Sequence, residues 1–97
     1  MFVVALAVEL HLPDAHSLKQ KRAIVKPILE GARHRHHVSA AEVDYQDSWQ
    51  RASLGFAVVA SSERQAITVL DEVERFVWSF PEVEVLAGER HWMEVEA

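Results

Sequence analysis

Lys19, Lys21, Arg22, Lys26, Arg33 and Arg35 fall between residues 16 and 38 with only Glu30 against them, so this stretch carries +5 and the rest of the chain −10. Charge separated in this way bears on partners and association, not on fold. On a helix advancing about 100° per residue, Lys19, Arg22, Lys26 and Arg33 share a stripe roughly 60° wide. Arg35 follows in the same basic segment. Such a stripe neutralises phosphates and positions a protein on nucleic acid without reading bases. The same pattern is shown by a solvated helix face, and Glu30 lies on the stripe where it can pair with Lys26 and Arg33.

Lys21 stands apart from the stripe. The same geometry turns it into the apolar sector between Leu18, Ile24 and Val25, where an ammonium needs an outlet. It can snorkel past the first turn, meet a carboxylate such as Glu42 or Asp44 at a strand end, or serve chemistry as a lysine of lowered pKa. His34, His36 and His37 crowd together, and His11 and His16 flank the first loop. Their spacing matches no established zinc motif, so no metal is expected; beside arginines they can supplement a basic patch as pH falls. Glu42, Asp44 and Asp47 have no nucleophile elbow, glycine-rich phosphate loop or paired metal motif beside them and read as strand-edge and turn carboxylates. Trp49 and Trp78 are the protein-interface candidates, because exposed tryptophans anchor contacts.

Six elements must position these residues. The residues from Phe2 to about Leu12 alternate two apolar phases, as a strand shielded on both faces does. Ser17 with Gln20 opens a helix from about Leu18 to His34 that Pro27 should kink. Val38 to Gln46 and Arg51 to Ser61 read as a hairpin turning at Asp47 and Ser48. Ser62 with Gln65 opens a second helix on the stripe Ala66, Val69, Leu70, Val73, Phe76, Val77 and Phe80, ending before Pro81. A last strand, Val83 to Val95, is expected to bulge or break at Gly88. The order βαββαβ with right-handed crossovers folds most economically as an α+β, ferredoxin-like sandwich, with sheet order 4-1-3-2 and both helices on one face. Val3, Ala5, Ala7, Ala57 and Val59 then occupy the centre of the open face, which suggests a homodimer closed through it. Those positions lack the aromatics on which RNA-recognition sheets stack bases.

The 97 residues make one domain, with no room for a separate substrate domain. The absence of cysteine excludes disulfides, thiol catalysis and cysteine-based metal sites, and suits a reducing compartment. The apolar start is too short for a membrane span and lacks the basic lead-in of a signal peptide, so a cytoplasmic location is expected.

The run His16-Ser17-Leu18-Lys19-Gln20-Lys21-Arg22, then Val25-Lys26-Pro27-Ile28, Val38 through Asp44, and Trp49-Gln50-Arg51-Ala52 resembles the YlxP-like family of small uncharacterised bacterial proteins, over nearly the whole chain. The resemblance implies a ferredoxin-like fold, no established activity and an association with translation and ribosome-maturation factors. It marks Ser17, Lys19, Lys21, Arg22, Glu42 and Asp44 as motif residues of unknown role. Three functions are thus expected in descending order. The first is a cofactor-free, non-enzymatic protein contacting RNA or a ribosomal particle through the first helix. The second is a homo-oligomeric protein-interaction or structural module, and the third an enzyme or metal-dependent regulator using the histidines and Glu42.

Overall fold

The computed structural model describes residues 1–96. Its elements are β1 (Phe2–His11), α1 (Leu18–His36), β2 (Ser39–Asp44), β3 (Arg51–Ala60), α2 (Glu63–Trp78) and β4 (Glu84–Glu94). The four strands form one antiparallel sheet in the order β2-β3-β1-β4, the arrangement expected of a ferredoxin-like sandwich. Among the described residues no helix is long and apolar enough to cross a membrane.

The alternation in β1 explains its central place. Val4, Leu6, Val8 and Leu10 point to the helices and are almost wholly buried, opposite Val58, Phe56, Leu54 and Ala52 of β3. Ile28 and Ala32 of α1 and Leu70, Val73 and Val77 of α2 close the core from above. Each large side chain so buried contributes roughly 1.5–3 kcal/mol, which makes this layer the main source of stability. The opposite phase forms the open face, where Val59 is 64 % and Met93 59 % exposed.

Two expected features differ in detail. Helix α1 runs two residues beyond His34, with Pro27 inside it as expected; the chain turns only at His37, whose φ of 54° is left-handed. The irregularity in β4 lies at Leu86, not Gly88: Glu9 pairs with Ala87 and Leu10 with Val85, leaving Leu86 unpaired, while Gly88 stays in register with Val8. The bulge keeps Val85 on the core side opposite Leu10 after Ala87 has faced outward.

Gly31 has a packing role. A Cβ there would run into Cζ of Phe76 and come within 2.9 Å of Cε2, so the bare backbone lets α2 approach α1 closely. At the β4 edge, on the same helix side of the sheet, Arg90 reaches back to Asp71 at 2.7 Å and Glu74 at 3.2 Å. Burial alone would lower the pKa of this guanidinium, but the hydrogen bonds and charges of Asp71 and Glu74 hold it above its ordinary value.

Candidate functional site

The motif residues converge where the first turn of α1 meets the end of β2. Ser17, in extended conformation, accepts a hydrogen bond from the Gln20 N–H at 3.1 Å, while the Gln20 side chain accepts from the His16 N–H at 2.7 Å. This reciprocal cap fixes where the helix starts and hence where Lys21 points. The Lys21 side chain is only 3 % exposed, and its Nζ lies 2.7 Å from Glu42 Oε2. The ammonium also donates to the Tyr45 carbonyl at 2.5 Å. Of the outlets open to Lys21, the structure thus takes the strand-end carboxylate.

Glu42 reaches the ammonium because it lies in the helix-facing phase of β2, opposite Leu54. Its Oε2 is covered, and the Lys21 ammonium is the cation that faces it. Asp44 acts one step further on. Its carboxylate accepts from the Tyr45 N–H at 2.7 Å and thereby supports Tyr45 at a φ of 61°. A bulky residue adopts that left-handed conformation only when its surroundings impose it. The Tyr45 carbonyl accepts from Ser48 N–H as well as from Lys21, and its ring lies 4.7 Å beneath the Arg51 guanidinium. Ser17, Lys21, Glu42 and Asp44 therefore form one clamp between helix and hairpin. The ammonium of Lys21 is engaged by Glu42 and the Tyr45 carbonyl.

The five nucleic-acid candidates divide. All five are exposed, with Lys26 only loosely paired with Glu30 at 3.9 Å. Arg33 instead donates Nε and Nη2 to the Ala40 carbonyl at 3.1 and 2.5 Å, and Arg35 lies over the Phe76 ring at 5.6 Å. Beside the clamp, Arg22, Lys26 and Arg33 rim a depression of about 220 Å³ whose floor is Val25 and Leu29 and whose end is the Lys21–Glu42 pair. Cationic edges over an apolar floor suit a ligand that combines negative charge with a flat hydrophobic part.

The histidines disperse. His36 lies against Phe76 with ring centroids 5.3 Å apart and comes within 3.8 Å of Glu72, while His37 forms the left-handed cap of α1. His11 contacts Glu84 at 3.1 Å on the far side of the sheet. Among the described residues no three histidine or carboxylate side chains come together as metal ligands do. Trp49 in the hairpin loop and Trp78 at the end of α2 are 53 % and 65 % exposed, and the structure does not place them in the cleft. Tyr45 and Arg51 were absent from the sequence-based candidates, because nothing about a tyrosine after an aspartate announces a left-handed backbone.

Comparison with known proteins bears on the fold and the family. A de novo designed protein with a ferredoxin fold matches the whole chain and 90 % of its own length, with a TM-score of 0.57 at 16 % identity. The de novo designed protein Foldit4 matches 99 % of the chain and all of its own length, with a TM-score of 0.53 at 13 % identity. At such identities the likeness concerns the fold alone. The uncharacterised protein YlxP of Bacillus subtilis (strain 168) is 46 % identical over 79 residues, covering 81 % of this chain and 86 % of that protein. Residues 3–90 match the model of a family described as protein of unknown function, DUF503. With the match spanning the clamp, the basic helix and three strands and reaching into β4, the chain belongs to the DUF503 family.

Proposed function

We propose that the chain is a non-enzymatic cytoplasmic binding protein that holds RNA, free or within a ribosomal particle, along the exposed side of α1. The observation that carries this reading is the line of exposed cations on α1, with Arg22 and Lys26 rimming a depression floored by Val25 and Leu29 and Lys19 about one turn before them. Phosphates meet the cations, and the flat face of a base lies on the apolar floor. From Lys19 to Lys26 the helix rises about 10 Å, a span matching about three phosphates of one strand. The buried clamp keeps this face in place and takes no part in chemistry.

Three neutralised phosphates give a salt slope of about −2 to −3, so affinity falls roughly 20- to 60-fold from 50 to 200 mM salt. The test compares binding of a structured RNA at the two salt concentrations by the wild type and by Lys19→Glu/Arg22→Glu/Lys26→Glu. The wild type should bind with that slope and the variant should lose both affinity and slope. Equal, negligible binding by both proteins would sink the reading. Exposed Trp49 favours a second reading, docking on another protein; its mark is a salt-insensitive partner lost on Trp49→Ala.

A further inference from the structure

The two edges of the sheet are treated differently. The β2 edge is short and bulged at Val43, and the Arg33 guanidinium occupies the Ala40 carbonyl there. These are the devices that keep a strand edge from pairing. The β4 edge is eleven residues long, and its bulge at Leu86 lies near the start, leaving Ala87 to Glu94 in regular register. Met1 and Val95 exchange both of their backbone bonds, at 2.9 and 2.8 Å. Because antiparallel bonds alternate, Met93, His91 and Glu89 then turn their backbone groups toward β1, while Trp92, Arg90 and Gly88 present theirs outward.

We propose that two copies of the chain pair antiparallel through β4, about a two-fold axis at Arg90, into one continuous eight-stranded sheet. In this register Arg90 lies opposite the partner's Arg90, and Trp92 opposite the partner's Gly88. Glu89 faces the partner's His91 twice over, on the same face of the sheet. A register centred on Glu89 would set the two carboxylates against each other. The paired Arg90 side chains do not carry that penalty, since each is drawn back to Asp71 and Glu74 of its own α2.

The shape of the edge fits the same register. A Cβ on Gly88 would have nothing closer than Glu74 Oε1 at 4.0 Å. Above this bare backbone lies a depression of about 260 Å³ reaching down to Val8 and walled by Val77, Trp78, Val85 and Leu86. Trp92 points to the helix side of the sheet, in phase with Val4 and Gly88, so the partner's Trp92 would lie across the glycine and into this depression. Leu86, Trp78 and Trp92, which are 51 %, 65 % and 45 % exposed in the single chain, lose that exposure together. An aromatic laid across a strand glycine is a recognised way of fixing register.

Sedimentation equilibrium on the full chain tests this. The wild type should weigh twice the 11.0 kDa of one chain. Gly88→Leu, which fills the depression, and Trp92→Ala, which empties it, should each weaken association at least about 30-fold, as loss of an interface anchor does. Register is read by cross-linking in a chain that has no cysteine of its own. Mixed Glu89→Cys and His91→Cys variants should oxidise to a covalent heterodimer, since facing residues lie about 4.5 Å apart between Cα atoms in such a pair. A wild type that stays monomeric at millimolar concentration overturns the proposal. So does a dimer indifferent to Gly88→Leu but broken by Val59→Glu on the open sheet face. Circular dichroism of each variant separates lost association from lost fold.

Discussion

Removing Glu42 should cost far more than removing the lysine it faces. Glu42→Ala leaves the Lys21 ammonium, 3 % exposed, with the Tyr45 carbonyl as its remaining acceptor. Stripping one partner from a buried pair costs about 3–5 kcal/mol, and the 23 % exposure of Glu42 places this pair at the lower end, about 3 kcal/mol. For a domain of this size that lowers the melting temperature by about 15 °C and the urea midpoint by about 2 M. Lys21→Met keeps the aliphatic stem in the core and leaves a carboxylate that still reaches water, for about 1 kcal/mol. The double variant Lys21→Met/Glu42→Leu should return to within about 1 kcal/mol of wild type, because a well-packed apolar pair replaces a buried ionic one at little cost. Urea unfolding of the wild type, Lys21→Met, Glu42→Leu and the double variant closes the cycle and gives the coupling energy, expected at about 3–4 kcal/mol. Additive single effects, or a Glu42→Ala cost below about 1 kcal/mol, would refute the clamp.

Other positions make smaller and separate demands. Gly31→Ala should lose about 1–2 kcal/mol to the collision with Phe76; in a Phe76→Leu background the same change should gain up to about 1 kcal/mol as alanine's helix preference shows through, and a loss in both backgrounds would contradict the packing argument. Ser17→Ala should cost about 1 kcal/mol in thermal unfolding, with Ser17→Asp restoring most of it. Pro27→Ala, at an exposed position inside α1, should stabilise by about 2 kcal/mol by returning an N–H to the helix; a lower melting temperature would show that the proline is needed.

The sequence disclosed the elements and their order because both periodicities are clean, with a two-residue phase in β1 and β3 and a helical stripe in α2. It also pointed to Lys21 as a residue needing a partner and offered Glu42 among the candidates. A helical wheel could not show that Arg33 and Arg35 are engaged within the chain. That depends on the left-handed turn at His37, which carries β2 back past Arg33, and on α2 bringing Phe76 beneath Arg35. The position of the β4 bulge was hidden for a related reason. Glycine marks a place where a strand can yield, but the register against β1 decides where it does, and here Leu86 yields while Gly88 stays paired. Tyr45 left no trace in residue type, since its conformation is imposed by Asp44, Ser48 and Lys21 together.

The bond from Arg33 to the Ala40 carbonyl bears on stoichiometry as well as on stability. A sheet that could grow at both edges would polymerise, each added copy exposing a fresh edge to the next. With β2 plugged and β4 open, the proposed strand addition would have one available end per chain and would terminate at two copies. One cation, counted at first with the nucleic-acid candidates, would then join the short, bulged β2 in separating the proposed closed dimer from a filament. Arg33→Ala should reveal this as species larger than a dimer in sedimentation velocity.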